Sequence, residues 1–178
     1  KMNTKLQEFI QHLSHEIEDE TKAEEYIEEA LPLIGLIVLY FNSLESSLDS
    51  ILCQNFTDRT DSTGLIVLSN LNFSSKVNLF KRFCDDFQNS LCIQIEEYKE
   101  LILNLSESAR LRNLVVHANW ESMNEDGYAY TKLKTENKKM YQEYIQFDTV
   151  SLEKIILLIL KTQKLLHDFW EKRNEAIY

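Results

Sequence analysis

Residues 98–117 read Tyr-Lys-Glu-Leu-Ile-Leu-Asn-Leu-Ser-Glu-Ser-Ala-Arg-Leu-Arg-Asn-Leu-Val-Val-His. The run has no Gly or Pro, and Tyr98, Ile102, Leu105, Ala109 and Val116 recur at helical spacing. It reads as the C-terminal part of a long helix from about Leu91 to about His117, with those residues inward. Arg112 falls on the same stripe. A guanidinium there must be paired or must face a cleft, because burying an unpaired charge is too costly. Asn113 and His117, four residues apart, lie about 40° from each other on a neighbouring stripe that also carries Arg110. Arg110, Arg112, Asn113 and His117 therefore share one edge of one helix.

The rest of the chain is helical in the same way. Of 178 residues only three are Gly and one is Pro, against a usual combined share of about 12%. So few chain breakers argue against most all-β folds, Gly-rich phosphate loops and flexible linkers. Apolar residues make up 44% and charged residues 27%, which excludes wholesale disorder. Thr4 with Gln7 forms a capping-box pattern ahead of Leu6, Ile10, Leu13 and Ile17, and Thr21 with Glu24 forms a second, for a short helix to Ala30. Pro32 fits the first turn of a further helix carrying Ile37, Phe41, Leu44, Leu48 and Ile51. Residues 55–64 read as a loop. Ser74 or Ser75 is placed to cap the next helix, with Val77, Phe80, Cys84 and Phe87 inward. Asp126-Gly127 signals a turn, and Tyr128–Lys134 with Met140–Phe147 read as a small β-hairpin. The last helix starts near Asp148 or Thr149. The expectation is a mainly α single domain over residues 1–178, an up-and-down bundle of four to five helices with a small β-hairpin inserted before the last.

Charge and cysteines bound the function. The net charge is −10, and the first thirty residues hold nine acids against three lysines. Such a field opposes loose binding to nucleic acid or anionic membrane and leaves room for a small local basic site. Three cysteines without CxxC spacing fit reduced thiols in a cytoplasmic protein. The apolar run Leu31–Phe41 is too short for a membrane span of about 20 residues and reads as a core helix or a subunit contact. No cofactor motif or metal-ligand pattern stands out. His12, His15 and Glu16 share a helical spacing, but without a partner cluster they read as a solvated face. Trp120 and the hairpin aromatics read as packing.

Arg112-Asn113-Leu114-Val115-Val116-His117 resembles the R-x4-6-H motif of HEPN domains, in which a polar residue often follows the arginine. The setting is similar too, near the end of a long helix in a small helical bundle, over roughly residues 31–176. The resemblance implies a metal-independent endoribonuclease of a toxin or defence system, needing no cofactor and working as a homodimer. In such a dimer Arg112 and His117 of two protomers face each other, with Asn113 and Arg110 supporting. RNA is the implied substrate, and an antitoxin or other protein the implied partner. The position two residues past the histidine, a modified Tyr in some family members, is Asn119 here, so that modification does not carry over. The alternative is a catalytically silent HEPN-like helical module that binds a protein partner or a nucleotide. For Arg112 that alternative means an ion pair inside the bundle, with Glu45 as its partner.

Overall fold

The computed structural model describes residues 2–12, 17–56 and 62–176. In chain order the elements are strand β1 (Thr4–Glu8), helices α1 (Glu20–Cys53), α2 (Ser62–Leu68), α3 (Phe73–Leu91) and α4 (Tyr98–Val116), strands β2 (Tyr128–Glu136) and β3 (Lys139–Gln146), and helix α5 (Thr149–Glu175). A single 3-10 turn, Trp120–Ser122, follows α4. The chain is thus a helical bundle with a small antiparallel sheet ahead of the last helix.

It divides into two compact units, residues 1–38 with 111–156, and residues 39–110 with 157–178. The first unit holds the sheet, whose strand order is β1-β3-β2. The hairpin turns at Asn137 and Lys138, both with positive φ (50° and 65°), the geometry that matches a tight turn to the twist of its strands. A bulge near Thr131 shifts the register between Tyr130 and Lys132. Glu143 is buried in this sheet and takes ion pairs from Lys132 and Lys134.

β1 replaces an expected helix. Leu6, Ile10 and Ile17 are 43%, 80% and 36% exposed, so the helical stripe read there has no core to face. The free edge of β3 instead offers a row of backbone partners, and β1 takes them from Thr4↔Ile145 to Glu8↔Tyr141. Leu13, His15 and Glu16 lie outside the described residues. The second correction is α1, which runs unbroken where a restart at Pro32 was expected. Asp19 caps it, accepting from the Lys22 N–H at 3.1 Å, so Thr21 is not the cap. Pro32 is exposed, and the one carbonyl it leaves without a helical donor can be met by water.

In the second unit the core includes Leu44, Leu48, Leu52, Phe80, Leu101, Leu105, Leu166 and Phe169. Asn72, rather than Ser74 or Ser75, caps α3 by accepting from the Ser75 N–H at 2.9 Å. α3 stops at Leu91 because Cys92 adopts φ 52°, and the Gln88 side chain accepts from the Ile95 N–H at 2.9 Å. The helix expected from Leu91 therefore begins only at Tyr98. Tyr98 then ties α4 to α3, its hydroxyl donating to Asp85 Oδ1 at 2.6 Å while its ring stacks on Phe169 at 5.6 Å. Residues 57–61 of the expected loop lie outside the described residues, and α2 begins within its end.

α1 is also the one described helix long and apolar enough, by length and composition, to cross a membrane. Its most apolar 18 residues have mean hydropathy 1.5, and 22% of that window is buried. The core helix of a soluble protein passes the same test. Ile37 and Phe41 are buried while Leu31 and Leu39 are 57% and 61% exposed, so within the single chain this run is buried on one side.

Candidate functional site

The last turn of α4 and the segment after it, all within the first unit, carry the candidate site. α4 buries Tyr98, Leu101, Leu105, Ser108 and Val115. Val116 is 36% exposed, so the inward stripe lies one position away from the one read at Ile102, Ala109 and Val116. Arg112 still falls on it, between Ser108 and Val115, and is half-buried. Its Nη1 donates to Asn113 Oδ1 at 3.0 Å. That bond ties the guanidinium to the Asn113 side chain. Asn113 and His117 are both exposed, and the His117 N–H donates to the Asn113 carbonyl at 3.0 Å.

Residues 118–120 fix where the imidazole of His117 leaves the helix. The Trp120 indole N–H donates to the Val115 carbonyl at 2.9 Å, satisfying one of the carbonyls a helix end leaves without a partner. The Trp120 ring packs against Phe147 at 4.9 Å. Asn119 forms an isolated bridge with Tyr130, donating its N–H to the Tyr130 carbonyl at 2.8 Å. The segment carrying His117 is held by the sheet on one side and by the helix on the other.

Three further placements bear on the sequence reading. Arg110 lies in the second unit, where Nε and Nη2 grip Glu107 at 2.7 Å each and hold its carboxyl below the usual carboxylate range. Glu45, the ion-pair partner expected for Arg112, receives Lys76 at 2.8 Å. His12 follows β1 rather than lying on a helix, and meets the Tyr130 ring edge-on at 5.5 Å. Its approach to the strand that bridges Asn119 comes from the pairing of β1 with β3, a long-range contact with no local signal in the sequence.

Chemically, the arrangement offers a planar cation able to grip a phosphate and an accessible imidazole one turn on. Among the described residues, no group of three or more His, Cys, Asp or Glu side chains is placed to hold a metal ion. Nothing among family models, curated proteins or solved structures matches this chain.

Proposed function

We propose that the chain is a metal-independent endoribonuclease of a toxin or defence system, acting in the cytoplasm as a homodimer. The observation that supports this reading is that Arg112, bonded through Nη1 to Asn113 Oδ1, stands five residues ahead of the exposed His117 at the end of the same helix. The resemblance of these six residues to the HEPN motif supplies the reaction. One imidazole takes the proton from a ribose 2′-OH, whose oxygen attacks the adjacent phosphorus. The bond to the 5′-oxygen breaks, and a second imidazole protonates that leaving oxygen. Arg112 stabilises the extra negative charge on the phosphate.

One exposed histidine per motif favours a dimer, because base and acid then come from two protomers. The exposed Leu31, Leu36 and Leu39 on α1 supply an apolar surface for that contact. The test is to incubate the purified chain with single-stranded RNA and a DNA of the same sequence, with and without EDTA. The expected result is RNA cleavage that survives EDTA, leaves 2′,3′-cyclic phosphate ends and spares the DNA. Light scattering should report a dimer at micromolar concentration. A monomer without RNA cleavage would favour the silent module, which the −10 net charge also suits.

A further inference from the structure

In the second unit, near the end of α5, Arg173 follows Trp170 by three residues, the spacing that places two side chains on one helix face. Its guanidinium carbon lies 4.2 Å from the Trp170 ring centroid and 4.6 Å from that of Phe87 on α3. Two aromatic rings thus hold the cation and cover its faces. Its one polar contact among the described residues is Nη1 to Asn174 Oδ1 at 3.3 Å, and no carboxylate among them lies within ion-pair distance. The neighbouring Cys84 thiol brings no compensating charge, since burial pushes its pKa up to about 12. Burial also lowers the pKa of Arg173 itself. Arg173 lines a cavity of about 380 Å³ together with Asn55, Phe83, Phe87 and Leu91, with Asp86 among them. That volume falls within the range of small-molecule sites, roughly 300–1,000 Å³.

We propose that this cavity binds a small organic carboxylate with an apolar or aromatic body, its carboxylate gripped by Arg173. A guanidinium fixed by aromatic stacking presents its N–H groups as a preset fork, the geometry that matches a carboxylate. Phe83, Phe87 and Leu91 supply the apolar wall for the body, and Asn55 a polar group beside it. Asp86 selects among anions. A carboxylate on the same wall repels a phosphate dianion about twice as strongly as a single negative charge, by Coulomb's law. Trp170 is fixed independently, its indole N–H donating to Gln54 Oε1 at 3.0 Å, so the stack stands before any ligand arrives.

Calorimetric titration of the full chain with phenylacetate, inorganic phosphate and adenosine monophosphate tests the assignment, with the Arg173 Nε–H resonance followed by NMR. Phenylacetate should saturate one site below about 1 mM, a modest affinity for a ligand of its size, and shift that resonance. Phosphate and adenosine monophosphate, as dianions, should bind at least about threefold more weakly. Arg173→Lys keeps the charge and loses the stacked fork, so it should weaken phenylacetate by at least about tenfold. Asp86 is exposed, so Asp86→Asn should fold normally and tighten the site by about threefold as a repulsion is removed. Circular dichroism monitors folding, and if the Arg173 variant unfolds, the Asp86→Asn result decides. The proposal is overturned by no saturation at about 10 mM phenylacetate, by phosphate or the nucleotide binding as tightly, or by Asp86→Asn leaving affinity unchanged or lower.

Discussion

The indole nitrogen of Trp120 donates to the carbonyl oxygen of Val115 at 2.9 Å, and this bond closes α4 between Arg112 and His117. A helix end leaves its last carbonyls without donors, so a side chain that returns to supply one fixes the point at which the chain turns away. Trp120→Phe keeps a ring for Phe147 to pack on and removes the donor. It should lower unfolding stability by about 1 kcal/mol, read as a lower urea midpoint at unchanged slope. An unchanged midpoint would mean that water replaces the indole without cost.

Lys76 offers a stronger test of the second unit. It is buried with its Nζ 2.8 Å from both Glu45 Oε1 and Asp49 Oδ2. Burial alone would lower its pKa, but the hydrogen bonds and charges of Asp49 and Glu45 outweigh burial and raise it above the ordinary 10.5. The protonated lysine therefore contributes its full stability below about pH 10.5, and that contribution fades as pH rises further. Lys76→Met removes the cation and leaves two carboxylates crowded together, which should cost about 2–4 kcal/mol. Chemical denaturation between pH 7 and 11 should show wild-type stability falling at the alkaline end, a component the variant lacks.

The fold was legible where its signals are local. The 3.6-residue period marked α3, α4 and α5, Asp126-Gly127 marked the entry to the hairpin, and Asp148 indeed caps α5, accepting from the Ser151 N–H at 2.6 Å. It was illegible where long-range contacts override local pattern. Leu6, Ile10, Leu13 and Ile17 have a helical spacing, but the pairing of Thr4–Glu8 with β3 satisfies that segment's backbone and leaves Leu6 half exposed. Pro32 looked like a helix start, yet α1 runs through it, and its exposure leaves the carbonyl that loses a helical donor open to water. The candidate site divides in the same way. Arg112, Asn113 and His117 are neighbours on a single helix, so spacing alone places them together. The return of Trp120 to Val115 and the meeting of His12 with Tyr130 needed the tertiary structure.

The three cysteines should separate cleanly by reactivity. Cys53 and Cys84 are buried, and burial pushes the Cys84 thiol up to about 12, so almost none of it is thiolate at pH 8. Cys92 is exposed in the turn after α3. Iodoacetamide at pH 8 should modify Cys92 alone in the native chain and all three residues in urea, as peptide mass mapping would read. Labelling of Cys84 in the native state at the rate of Cys92 would show that α3 opens locally.

The motif itself can be dissected because its three residues differ in exposure and role. His117 and Asn113 are exposed and Arg112 is half-buried, so alanine at the first two should leave folding and dimerisation intact. If His117 moves the proton, His117→Ala should cut RNA cleavage by at least about a hundredfold, the scale of general acid–base catalysis. Arg112→Ala should match it, and Arg112→Lys should recover little, because an ammonium cannot reproduce the planar fork on a phosphate. Asn113→Ala tests positioning. It removes the acceptor held by Arg112 Nη1, so substrate affinity should fall more than the rate of the bound complex. His167, exposed on α5 and paired with Glu171 at 3.2 Å, is the control, and His167→Ala should cleave as wild type does. Mixing Arg112→Ala with His117→Ala protomers adds a last discrimination. A heterodimer of the two keeps one Arg112 and one His117. Because base and acid are the imidazoles of both protomers, it should show no activity above either parent. Recovery on mixing, with both parents dimeric, would mean that one imidazole suffices.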